Sequence, residues 1–124
     1  MNASVLTVLL AGFLPIVCAG IAKWGARGYD NHEPRSWLSQ QVGWRARANA
    51  AQQNSFEAFP FFAAGVVLAE LRQVDPSDIA TYGWFFIAMR LLYIGCYVMD
   101  RSTLRSIAWL FGLVAVVRLY VLAW

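Results

Sequence analysis

Charge is scarce in this chain: only 14% of its 124 residues are Asp, Glu, Lys or Arg, while 60% are hydrophobic. Soluble domains carry roughly 45–50% apolar residues. A small soluble fold leaves much of its surface in water and could not conceal this excess. A lipid bilayer can cover it, which points to a membrane protein. Cysteine is equally sparse. Cys18 and Cys96 each sit inside an apolar run, spaced neither as a metal site nor as a redox pair, and read as packing residues. There is no basic stripe interleaved with aromatics, which argues against a nucleic-acid surface. Repeats and low-complexity tracts are also missing. The first apolar run lacks a basic leader, and Val17-Cys18-Ala19-Gly20 is a poor cleavage site, so it reads as a retained helix.

What is present is four segments that can each cross a bilayer, a task needing ~20 mostly apolar residues. They predict an all-α bundle of four membrane helices at about 3–22, 45–71, 76–99 and 102–124, forming one domain over 1–124. Pro15 falls inside the first. Asp75-Pro76-Ser77-Asp78 has an aspartate cap, a proline at the first helical position and acid in the first turn, so it starts the third. Ser102 is the expected cap of the fourth. The polar, turn-rich stretch from Lys23 to Trp44 predicts a structured loop with a helical start after Pro34. Loop one holds Lys23, Arg27, Arg35 and Arg45, loop three holds Arg101 and Arg105, and loop two holds only Arg72. The bias of basic residues puts loops one and three in the cytoplasm and both termini on the opposite side, in a cell inner membrane. Arg118 near the C-terminal end reads as a snorkelling interfacial residue.

The polar residues inside the spans form two stripes. Arg47, Asn54 and Glu57 share one side of the second helix with Gln53, and Pro60 follows. Arg90, Tyr93 and Tyr97 share one side of the third, with Arg90 ~16 Å into its span at 1.5 Å per residue. Ionisable groups in lipid are costly and face a partner or a wet cavity. The stripes are therefore expected to face each other, with Glu57 paired to Arg90 or Arg47 and Asn54 satisfying leftover donors. Such a network either fixes helix register or forms a polar pocket for an anionic ligand, open to the cytoplasmic face.

Arg47-Ala48-x-x-Ala51-x-x-Asn54-x-x-Glu57-x-x-Pro60 resembles the signature of the MAPEG family, membrane-associated proteins of eicosanoid and glutathione metabolism. Arg90-Leu91-x-Tyr93-x-x-x-Tyr97 with Leu104-Arg105, and Asn31-His32-Glu33-Pro34-Arg35 in loop one, resemble further elements in the same order. The likeness to a bacterial-type member implies a homotrimer with glutathione bound between subunits near the cytoplasmic side. Carried over, Arg47, Asn54, Glu57, Arg90, Tyr93 and Tyr97 would bind glutathione, and Arg105 would activate its thiolate. No metal is implied. Catalytic members carry a second arginine four residues before the asparagine, where this chain has Ala50. Arg105 is also offset by one residue from the tyrosines, and a helix-start arginine snorkelling to phosphates is its other reading.

Two functions follow as expectations. One is a glutathione-dependent transferase or peroxidase acting on hydrophobic electrophiles that arrive through the bilayer. The other is a non-catalytic membrane protein of the same fold that binds a lipid or small amphiphile. Ala50 favours the second, whereas Asn54, Glu57, Tyr93, Tyr97 and Arg105 favour the first.

Overall fold

A computed structural model describes residues 2–124, which are all-helical, with no strand among the described residues. Short-range chemistry sets the helix ends. The Asn2 side chain accepts the Ser4 amide at 3.0 Å and starts α1, Ala3–Lys23. Pro34, with its fixed φ, opens the single turn and a half of α2, Pro34–Ser39. The long α3 runs from Gly43 to Leu71. Asp75 accepts both the amide and the hydroxyl of Ser77, at 2.8 and 2.7 Å, and begins α4, Pro76–Val98. These two bonds hold the Asp75 carboxyl below the ordinary carboxylate range.

Helices α3 and α4 end alike. Gln73 and Asp100 adopt left-handed φ values of 58° and 60°. The next amides, of Val74 and Arg101, reach back to the Ala69 and Cys96 carbonyls at 3.0 and 2.7 Å. Both are Schellman turns, which reverse the chain within a few residues. The second one also moves the start of α5, Ser102–Leu122. The Arg101 carbonyl accepts the Arg105 amide at 2.9 Å, so Ser102 is already helical and not the expected cap.

Helix α1 packs along α3, and α4 along α5; α4 also touches α1 and α3, and α3 touches α5. In lipid no hydrophobic force drives helices together, so close approach through small residues does that work. Ala11, Ala22, Ala48, Ala51, Ala69, Ala108 and Ala115 are all buried at these contacts. At Gly83 the approach is close, since an added Cβ would lie 2.9 Å from Thr7 Oγ1 and 3.2 Å from its methyl. The rings of Phe62 and Phe86 stack at 4.0 Å, with 11° between their planes, joining α3 to α4 in the core.

Three helices, α1, α4 and α5, are long and apolar enough to cross a membrane. Helix α3, of 29 residues, is ~43 Å long, but it carries Arg45, Arg47, Glu57 and Glu70. Polar contacts tie the bundle at both ends. Glu70 accepts from the Ser4 hydroxyl near the starts of α1 and α4. At the other end Arg45 donates to the Ala22 carbonyl at 2.8 Å, capping α1.

Thr7 is buried, stiff at χ1 and bonded to the Ser4 carbonyl, so it cannot yield to a new methyl. Gly83→Ala is expected to destabilise the detergent-solubilised protein by about 1–3 kcal/mol. Gly20→Ala, whose added Cβ meets nothing within 4 Å, should not lower the unfolding midpoint, since alanine in a helix is favoured over glycine by about 0.5–1 kcal/mol.

Candidate functional site

Among the described residues Arg90 is the one buried basic side chain, at 3% exposure. It lies eight residues before the end of α4, ~12 Å in from that end. Its Nη1 donates to Asn54 Oδ1 at 2.7 Å and its Nη2 to Ser55 Oγ at 3.0 Å. The Ser55 hydroxyl in turn donates to the Ala51 carbonyl at 2.8 Å. These partners satisfy the guanidinium's geometry but are all neutral, so its charge has no counter-ion within hydrogen-bonding reach. A buried charge of this kind attracts an anion.

The expected ion pairs with Glu57 do not form. Glu57 is exposed on α3, and its carboxylate accepts from Asn54 Nδ2 at 3.4 Å. Arg47 also turns elsewhere. Its Nε and Nη2 both donate to the Val98 carbonyl, at 3.2 and 3.0 Å. That carbonyl belongs to the last turn of α4 and has no intrahelical donor, so a bidentate arginine satisfies it and complements the helix dipole. Of the two stripes, therefore, Asn54 and Arg90 meet directly and Arg47 braces a helix end beside them.

Beyond Arg90 a ladder of cations and rings leads to α5. The Arg90 guanidinium lies 4.3 Å from the Tyr93 ring centre, Tyr93 meets Tyr97 edge-on at 5.6 Å, and Arg105 lies 4.4 Å from Tyr97. Arg105 has no hydrogen-bond partner among the described residues, so stacking holds its plane while leaving its N–H groups available. It is turned inward onto Tyr97 and not outward as the snorkelling reading expects.

Asn54, Tyr93, Tyr97, Arg105, Ser106 and Trp109 line a cleft of about 230 Å³. A second cleft of the same size adjoins it, sharing Asn54 and Trp109. There Glu57 and Arg90 stand near the shared wall, and Phe61, Phe86, Leu113 and Val116 make the remainder apolar. The two form one groove between α3 and α5, floored by α4 and polar at one end. Six of the seven residues expected at a site line it, all but Arg47. Ser55 and Trp109 were missed. Trp109 stands one turn after Arg105, a spacing that places both on one face.

The Arg90–Asn54 bond is charge-assisted and partly buried, so it should be worth about 1.5–3 kcal/mol. Asn54→Ala is expected to lower stability in detergent by that amount. In an Arg90→Met background the same change should cost little, a coupling that a double-mutant cycle reads directly.

No curated protein and no solved structure matches the chain. The family model described as MAPEG family matches residues 3–124. With the match running essentially from end to end, this integral membrane protein belongs to the MAPEG family.

Proposed function

We propose that this protein is a glutathione-dependent transferase or peroxidase for hydrophobic electrophiles, acting as a homotrimer of four-crossing subunits. The observation that carries this reading is the groove, with two guanidinium groups and one carboxylate at its polar end and apolar walls beyond. Glutathione presents two carboxylates, one ammonium and a thiol. Arg90 and Arg105 attract its anionic groups, and Glu57, exposed beside Asn54, suits the ammonium. The apolar half, bounded by Phe61, Phe86, Leu113 and Val116, suits an electrophile delivered from lipid.

In this mechanism Arg105 carries the chemistry. A thiol attacks as the thiolate, and an adjacent guanidinium favours that form. Arg105 turns its N–H donors on the sulfur while Tyr97 holds the guanidinium plane. The thiol proton leaves to water, a sulfur–carbon bond forms, and the electrophile's leaving group departs with the bonding pair. Asn54 and Arg90 orient the peptide, and the apolar wall excludes water from the reacting carbon.

The same account assigns the membrane arrangement. Helix α3 makes the fourth crossing, loops one and three with their arginines face the cytoplasm, and the membrane is the inner one. Glu57 lies fourteen residues along α3, ~21 Å from its start, exposed at the open side of the groove. A carboxylate there would be costly against lipid, which supports a neighbouring subunit covering it.

Ala50 supports a second reading, a non-catalytic amphiphile-binding protein, because one carboxylate of glutathione then lacks a bidentate partner. Isothermal titration of the solubilised protein separates the two. Glutathione is expected to bind at millimolar concentration or below, and no heat at that concentration would leave only the second. Arg105→Ala should bind glutathione but lose about 10²–10³ in conjugation rate with an aryl halide, the scale of losing one oxyanion donor. Undiminished turnover would remove Arg105 from its role. Ala50→Arg, one turn before Asn54, should tighten glutathione binding at least about tenfold, as expected for a charge-assisted pair.

A further inference from the structure

A second groove, separate from the first, opens where α1, α3 and α4 come together beside loop one. Val17, Gly20, Ile21, Trp24, Trp44 and Val98 line it, and its volume is about 470 Å³. Gly20 makes its floor, since an added Cβ would meet nothing within 4 Å. From Val17 to Trp24 the groove follows α1 for two turns, ~10 Å along the helix axis. Its deeper part is wholly aliphatic. At the mouth stand two exposed tryptophans, side chains that settle at the lipid headgroup level.

Two cations flank the tryptophans of this lining. The Arg45 guanidinium lies 4.3 Å from the Trp44 ring centre and spends one nitrogen, Nη1, on the Ala22 carbonyl. Its other N–H donors have no partner among the described residues. Lys23 ends α1 next to Trp24, with its ammonium 4.7 Å from the Tyr29 ring centre. The nearest acid in the loop sequence, Asp30, already accepts the His32 amide in its own turn at 2.9 Å. The site therefore sets an apolar groove next to two positive groups on residues adjoining its tryptophans.

We infer that this groove binds an anionic glycerophospholipid, with an acyl chain over Gly20 and the phosphodiester between Lys23 and Arg45. A zwitterionic lipid fits the groove equally well, but its ammonium offsets the attraction at the mouth. A basic side chain near an anionic headgroup contributes ~1 kcal/mol, or about fivefold in affinity. The site shares no lining residue with the groove between α3 and α5, so it stands or falls independently of glutathione chemistry.

Native mass spectrometry of the full-length protein, released from detergent with dioleoyl phosphatidylglycerol or dioleoyl phosphatidylcholine, tests this. Phosphatidylglycerol is expected to be retained at least about tenfold more tightly. Lys23→Gln should reduce that preference about fivefold. Gly20→Leu, whose Cβ meets nothing within 4 Å and whose longer side chain projects into the groove, should abolish retention without lowering the lipid-free unfolding midpoint. Equal retention of the two lipids would overturn the inference, as would undiminished phosphatidylglycerol binding by Gly20→Leu.

Discussion

One guanidinium organises the interior of this protein. Arg90 sits where lipid or packed side chains would ordinarily exclude charge, and its neighbours are arranged around that fact. Asn54 turns its carbonyl oxygen to Arg90, which fixes the amide nitrogen toward Glu57. Ser55 accepts from Arg90 and donates to its own helix, so α3 and α4 are locked in register. Tyr93 takes the face of the same guanidinium, which sets the edge that Tyr97 meets and the ring on which Arg105 rests. Buried polar networks gain from full satisfaction and lose heavily from partial satisfaction. This one satisfies hydrogen-bond geometry yet leaves a net positive charge beside an open groove.

The sequence disclosed those parts of the molecule that follow from composition and period. Helices α1, α4 and α5 stand out as runs almost free of charge, whereas Arg45, Arg47, Glu57 and Glu70 dilute the apolar signal of α3. Its register came from the spacing of polar residues instead, and that spacing correctly put Asn54 opposite Arg90. The same spacing misjudged Glu57. Three residues rotate ~300° about a helix, so Glu57 stands ~60° from Asn54, on the groove but bonded to Asn54 and not to an arginine. Arg47 was opaque for a different reason. Two turns before Asn54 it lies on the right face, but the open carbonyl it satisfies ends a helix fifty residues later. Trp109 went unnoticed because tryptophan in a membrane helix reads first as an interfacial residue.

Membrane physics divides the labour among the remaining residues. Without a hydrophobic force to press helices together, the bundle relies on glycine and alanine contacts such as Gly83 against Thr7, and on polar ties at each end. Large apolar side chains are free to face outward, where Val5, Leu9, Phe13 and Ile16 on α1 are all exposed. The two grooves lie at different seams of this bundle, one between α3 and α5 with Arg90 in its lining, the other beside α1 with an apolar lining.

The central claim is that the groove between α3 and α5 holds an anionic sulfur against Arg105. Ultraviolet absorbance of the thiolate, titrated against pH with glutathione bound, tests it most directly. The account predicts that thiolate appears well below the ordinary thiol pKa of ~8.5, and that Arg105→Leu returns the transition toward that value. A wild-type transition at the value of free glutathione would contradict it.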